Sequence, residues 1–179
     1  MPSFRENCRE NCSPPQSHRI LKGLEPEFPR EPATLPRQIY RIAASYQRWT
    51  GRELFPGTPP HAWPEIVWRS PSVVVSHGIE TDPVLNFGNR TALRLWSMTW
   101  AEFTRTPSRF TAEAPDREER ARLLTQVTAH GFTDNYAGIR ISSTGRRFRI
   151  SAATVWNVVD EAGATAGQAA TFERWEWLP

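Results

Sequence analysis

Residues 136–159 read Tyr136-Ala-Gly-Ile-Arg-Ile-Ser142-Ser-Thr-Gly145-Arg-Arg-Phe-Arg-Ile150-Ser-Ala-Ala-Thr-Val155-Trp-Asn-Val-Val159. Ile139 and Ile141 alternate with Arg140 and Ser142. Beyond a Ser143-Thr144-Gly145 turn, Phe148 and Ile150 alternate with Arg147 and Arg149, and the pattern continues to Trp156, Val158 and Val159. A period of two puts alternate side chains on opposite faces of a strand. Two such runs joined by a short Gly-containing turn predict an antiparallel hairpin. Asp160-Glu161-Ala162-Gly163 makes a second turn, and one last strand runs from Gly167 through Phe172 towards Trp175 and Trp177. The chain therefore ends in three meandering strands.

Upstream, the period changes. Asp116–His130 predicts a helix with an Asp116–Glu119 capping box and an apolar stripe of Leu123, Leu124 and Val127. Asp116 with Arg120 and Glu118 with Arg122 are i,i+4 pairs. Gly131 stands where a left-handed C-terminal residue is wanted, with Phe132 set to touch Val127. Earlier still, Ser72–Ser76 and Val84–Phe87 predict two short strands, and Asn89 caps a helix over Arg90–Trp96. A second short helix is expected over Trp100–Thr104. Pro36 opens a helix to Thr50, with Ile39, Ile42, Ala43 and Tyr46 on one stripe and Gly51 as its stop. That stripe needs burial, against the sheet or in a dimer. Between Pro56 and Pro71 lies a proline-rich connector that Trp63 and Trp68 pin to the body.

Strands and helices segregated in this way argue an α+β domain built on an antiparallel sheet. The chain has 179 residues, a length for one domain. Of its 16 prolines, 12 lie in residues 1–71. The helix at 36–50 places the break near residue 35, giving a disordered proline-rich tail over 1–35 and one domain over 36–179.

Charge and composition exclude several classes. Apolar runs are only a few residues long, far short of the roughly 20 of a membrane span, and no signal segment opens the chain. A cytoplasmic protein is expected. The formal charge is +3, from 22 basic and 19 acidic residues, with no basic arm or stripe. Nucleic acid is therefore not expected as a partner. Cys8 and Cys12 are the only cysteines, both in the tail, so the body holds no thiol nucleophile.

The element order, with Asn89 opening a helix after the second strand, resembles the PAS fold. Ser76-His77-Gly78, Asp82-Pro83 and Asn86-Phe87-Gly88-Asn89 resemble the opening of the MEKHLA domain. Pro107-Ser108-Arg109, Tyr136 to Ser142, Gly145-Arg146-Arg147-Phe148, Val155-Trp156-Asn157 and Gly167-Gln168-Ala169-Ala170 resemble its later segments. These motifs span roughly residues 36–178. The MEKHLA domain is PAS-related. It ends plant class III homeodomain–leucine-zipper proteins and also stands alone in bacteria; this chain resembles the stand-alone kind. The resemblance implies a five-stranded antiparallel sheet with short helices on one face and an N-terminal amphipathic helix. It also implies a sensory or regulatory module, not an enzyme, that binds a small molecule or a protein partner and signals in trans, as a homodimer or through an effector. It names no cofactor. Photochemistry of the light-oxygen-voltage type needs a pocket cysteine, which the body lacks.

A PAS-like module keeps its ligand between the sheet and the short helices. The residues expected to reach that site are His77, Asn86, Asn89, Trp96, Trp100, Tyr136, Arg140, Trp156 and Gln168. For Asn89 a helix cap, and for the tryptophans a core role, are the plainer alternatives. His130 at a helix C-terminus reads as a capping residue. Arg140, Arg146, Arg147 and Arg149 form a basic ridge that can hold a carboxylate or phosphate. Two other functions remain open. His77 with Asp82 suits a small enzyme with an acid-oriented base, and indoles filling the core suit an assembly dimer.

Overall fold

The computed structural model describes residues 28–29 and 34–179, without the side chains of 114–116. The tail, with Cys8 and Cys12, lies outside the described residues.

Helix α1 spans Leu35–Thr50 and ends at Gly51, whose φ of 69° is left-handed. Its stripe of Ile39, Ile42, Ala43 and Tyr46 is buried. A proline-rich connector was expected next, but residues 63–69 fold into helix α2 (Trp63–Arg69). Pro64 fits because a first-turn residue needs no N–H partner. Trp68 is buried, and Trp63 rests against Tyr40 with ring centroids 5.3 Å apart.

Strands β1 (Val73–His77) and β2 (Leu85–Gly88) follow, then helices α3 (Arg90–Trp96) and α4 (Trp100–Phe103). Helix α5 (Ala114–His130) begins two residues before the expected box, so Asp116 is not its cap; Asp116's side chain lies outside the described residues. The pair of Glu118 and Arg122 is present, exposed, at 3.5 Å. At the other end Gly131 has φ 93°, and a Cβ there would run into the Trp49 ring. Glycine is therefore needed for both conformation and space.

Strands β3 (Phe132–Ile141), β4 (Arg147–Val159), β5 (Thr165–Phe172) and β6 (Arg174–Trp177) complete the chain. The sheet is antiparallel, with five strands in the order β2-β1-β5-β4-β3. The single last strand expected from sequence divides at Glu173. Its end, β6, crosses back to β4, where Phe148 faces Trp177, so the sheet has six strands.

The hairpin β3–β4 departs from simple alternation. Asn135 (φ 59°) and Ala152 (φ 52°) are both left-handed. Each sits where the pairing register shifts, between Thr133 and Tyr136 and between Tyr136 and Gly138. Each marks an extra residue, a β-bulge. Beyond both bulges the original register returns, but each strand has exchanged its faces. Phe148 and Ile150 thus belong to one core, while Trp156 and Val158 belong to the other.

The sheet is covered on both faces. On one face α1 packs on Val74, Trp156, Val158 and Ala169. Trp156 Nε1 donates to the Ile42 carbonyl at 3.1 Å, and its ring meets Tyr46 edge-on at 5.0 Å. The α1 stripe is therefore spent on its own sheet. Glu161, in the β4–β5 turn, accepts from Arg37 and Arg41, which hold its carboxyl well below the usual range. On the other face Trp96 meets Phe148, Phe103 and Phe172, with centroids 5.3–6.3 Å apart. No helix among the described residues is long and apolar enough to cross a membrane.

Candidate functional site

Between the sheet and α5 lies a cavity of about 60 Å³. The inward positions of β1, β4 and β5 floor it through Val75, Val155 and Ala170, and α5 walls it with Leu123 and Leu124. Trp96 and Phe103 close one side. Most of this lining is apolar, the usual character of a small-molecule site. Two polar clamps fix the helix over it. Asn157 donates to the Val127 carbonyl at 2.9 Å, and Gln168 donates to the Leu124 carbonyl at 3.0 Å and to Asn157 at 3.0 Å.

His77, Trp96, Tyr136, Arg140 and Gln168 all line this cavity. His77 is buried at the end of β1, with Nδ1 2.9 Å from the Gly78 carbonyl. That contact assigns the proton to Nδ1. The buried Nε2 then keeps its lone pair with no partner. Burial, opposed by the Gly78 bond and aided by the Arg120 charge, pushes the imidazole below its ordinary value. Trp96 Nε1 is likewise buried without a partner. Buried polar groups are nearly always satisfied, so two orphans at one cavity are informative.

Tyr136, Gly138 and Arg140 share the inward face of β3. A Cβ at Gly138 would strike the Tyr136 hydroxyl and come within 3.1 Å of Arg140. The bare glycine lets Arg140 fold back over the Tyr136 ring, 5.3 Å from its centroid, and donate to the hydroxyl at 3.0 Å. Arg140 also donates to the Ile139 carbonyl at 2.7 Å.

The other expected site residues lie elsewhere. Asn86 sits within β2 where its pairing with β1 shifts register, and it accepts from Ser76 and from Gln38 of α1. Asn89 is wholly buried and wholly used. Its Oδ1 accepts from Ala92 and Val74, and its Nδ2 donates to the Val67 and Ser72 carbonyls. Trp100 packs edge-on against Trp68 and Phe87, outside the cavity. Trp156 faces α1, because the Ala152 bulge turns it away from Ile150. The basic ridge also disperses. Arg140 turns inward, Arg147 meets Glu113 at 3.1 Å, Arg146 stacks on Trp177 at 4.0 Å, and Arg149 is exposed. His130 is exposed and caps its helix through the Gln126 carbonyl. His77 and Asp82 do not form a pair: Asp82 accepts from Arg109 at 2.9 Å, at the surface.

Arg120 of α5 is a charged lining residue that the sequence marks only as the i,i+4 partner of Asp116, not as part of a site. Within Arg117-Glu118-Glu119-Arg120-Ala121-Arg122 it reads as one more solvated helix charge. Its place one turn before Leu123 and Leu124, on their side of the helix, was the available signal. Burial, and then the nearby charge of Arg140, lower its pKa to about 10.

Comparison with known proteins fits this architecture. The family model of the MEKHLA domain matches residues 37–177. The homeobox-leucine zipper proteins ATHB-14 and ATHB-9 of Arabidopsis thaliana are each 26% identical over 83% of this chain, which spans 18% of their length. A PAS domain from Colwellia psychrerythraea superposes with a TM-score of 0.53 at 10% identity, over 64% of this chain and 92% of that one. The light-state dimer of the fungal blue-light photoreceptor Vivid gives 0.53 at 12% identity, over 80% of this chain and 95% of that one. At such identities the likeness is one of fold, and the fold is PAS-like.

Proposed function

This chain belongs to the MEKHLA domain family, and we propose that it works as a PAS-like sensory and regulatory module. A small molecule occupies the cavity under α5, and its binding is passed to a protein partner, a second copy or an effector. The observation that carries this reading is the pair of buried, unpartnered polar atoms, His77 Nε2 and Trp96 Nε1, at a mostly apolar cavity. A core built only for packing would leave neither orphaned. A route outward is available along β4, where Val155 faces the cavity and the next residue, Trp156, bonds to α1.

The test is a thermal-shift screen of small organic compounds against the wild type and Ala170→Leu, with native mass spectrometry of both. Ala170 lines the cavity at the centre of the sheet, and leucine there fills space. Compounds that stabilise the wild type and not Ala170→Leu are the expected result. Equal effects on both proteins, or no effect on either, would overturn the reading.

A further inference from the structure

We infer that the cavity takes a small organic anion, a carboxylate on an apolar body, with its head group between Arg120 and Arg140. This rests on the cavity being the ligand site and names the chemistry of what fills it. Two guanidiniums line one cavity, and among the described residues no aspartate or glutamate lines it with them. Arg120 has no hydrogen bond or ion pair to any described residue, although one end of it is in the cavity wall. Arg140 spends one donor on Ile139 and one on Tyr136, which leaves three of its five N–H groups. Arg140 is buried and Arg120 half-buried; holding two like charges at one partly desolvated site without a counter-charge is costly, and proteins normally pair such charges or bind an anion between them. The acid whose charge acts on His77 is Glu80, which accepts from the Val84 N–H outside the lining.

The geometry of the rest of the cavity fixes the remainder of the molecule. The guanidinium fork matches the two oxygens of a carboxylate. The lining also holds Leu85, Phe103, Ile150 and Phe172, and with about 60 Å³ of space it suits a short alkyl body and rejects a second charge. With its pKa depressed only to about 10, the Arg120 guanidinium is still cationic at neutral pH.

Calorimetric titration with acetate and propionate, small enough for a cavity of about 60 Å³, each against its amide, tests this on the wild type, Arg120→Met and Ala170→Leu. The acids are expected to bind the wild type at least about tenfold more tightly than the amides, as charge-assisted bonds require. Arg120→Met is expected to abolish that preference. Amides that bind as well as acids, or a preference that survives Arg120→Met, overturn the anion inference while the cavity still stands as a ligand site. If no probe binds, or Ala170→Leu binds them all equally, the ligand site fails as well.

Discussion

The guanidinium of Arg140 reaches the hydroxyl of Tyr136 at 3.0 Å by passing over Gly138, where a side chain would stand in the way. Gly138→Ala therefore pushes the pair apart, and it is expected to destabilise by about 2 kcal/mol, an overpacking cost plus a lost charged hydrogen bond. Tyr136→Phe removes only the acceptor and is expected to cost less. Urea denaturation of both variants orders them; the reverse order would show that the glycine does not serve this contact.

His77 makes stability depend on pH. Its imidazole is held below the ordinary 6.5, chiefly by burial. As pH falls below about 6.5 the unfolded chain takes a proton that the folded chain resists, so stability decreases towards acid. His77→Gln is expected to flatten the fall between about pH 7.5 and pH 5.5. Denaturant midpoints measured across that window check it.

Asn89 joins β1, α2 and α3 through its single side chain. Asn89→Ala removes the helix cap, leaves the Val74 N–H without its acceptor in the interior, and takes a donor from the Val67 and Ser72 carbonyls, of which Val67 keeps the Ser70 N–H. The expected loss is about 3 kcal/mol, more than a surface cap gives. Asn89→Asp keeps the acceptor, strands the donors' partners and is expected to fall between. Calorimetric melting of the three proteins makes the comparison.

Ala152 carries the opposite opportunity. It is exposed and left-handed at φ 52°, a conformation that costs an alanine about 1 kcal/mol and a glycine little. Ala152→Gly is expected to stabilise by about that amount, with no change in the cavity. An unchanged or lowered denaturant midpoint would contradict it.

Much of this fold is legible from local pattern. The stripe of Ile39, Ile42, Ala43 and Tyr46 specifies one buried helix face, and it is buried. Asn89 before Arg90–Trp96 specifies a cap, and it caps. Alternation in 136–159 specifies a hairpin, but alternation alone has no way to register a residue that leaves the extended conformation. Asn135 and Ala152 do so without a glycine to announce them, which is why Trp156 is misplaced by a period-two count. The candidate site is legible where side chains alternate from a strand end, as with Tyr136 and Arg140. Arg120 is not, because its meaning comes from what stands across the cavity rather than from its neighbours in the chain.

The two offsetting bulges also bear on how this sequence can change length. Residues 132–134 and 153–159 sit in one frame of inward and outward positions, and the remainder of the hairpin sits in the other. Losing one bulge would slip the pairing by a residue; losing both would restore the pairing but turn Tyr136, Arg140, Phe148 and Ile150 outward. A single-residue insertion or deletion along either strand therefore acts like a frameshift, and a matching one on the partner strand mends the pairing without mending the faces. Relatives that keep this cavity should vary in length only at the turn over residues 142–146.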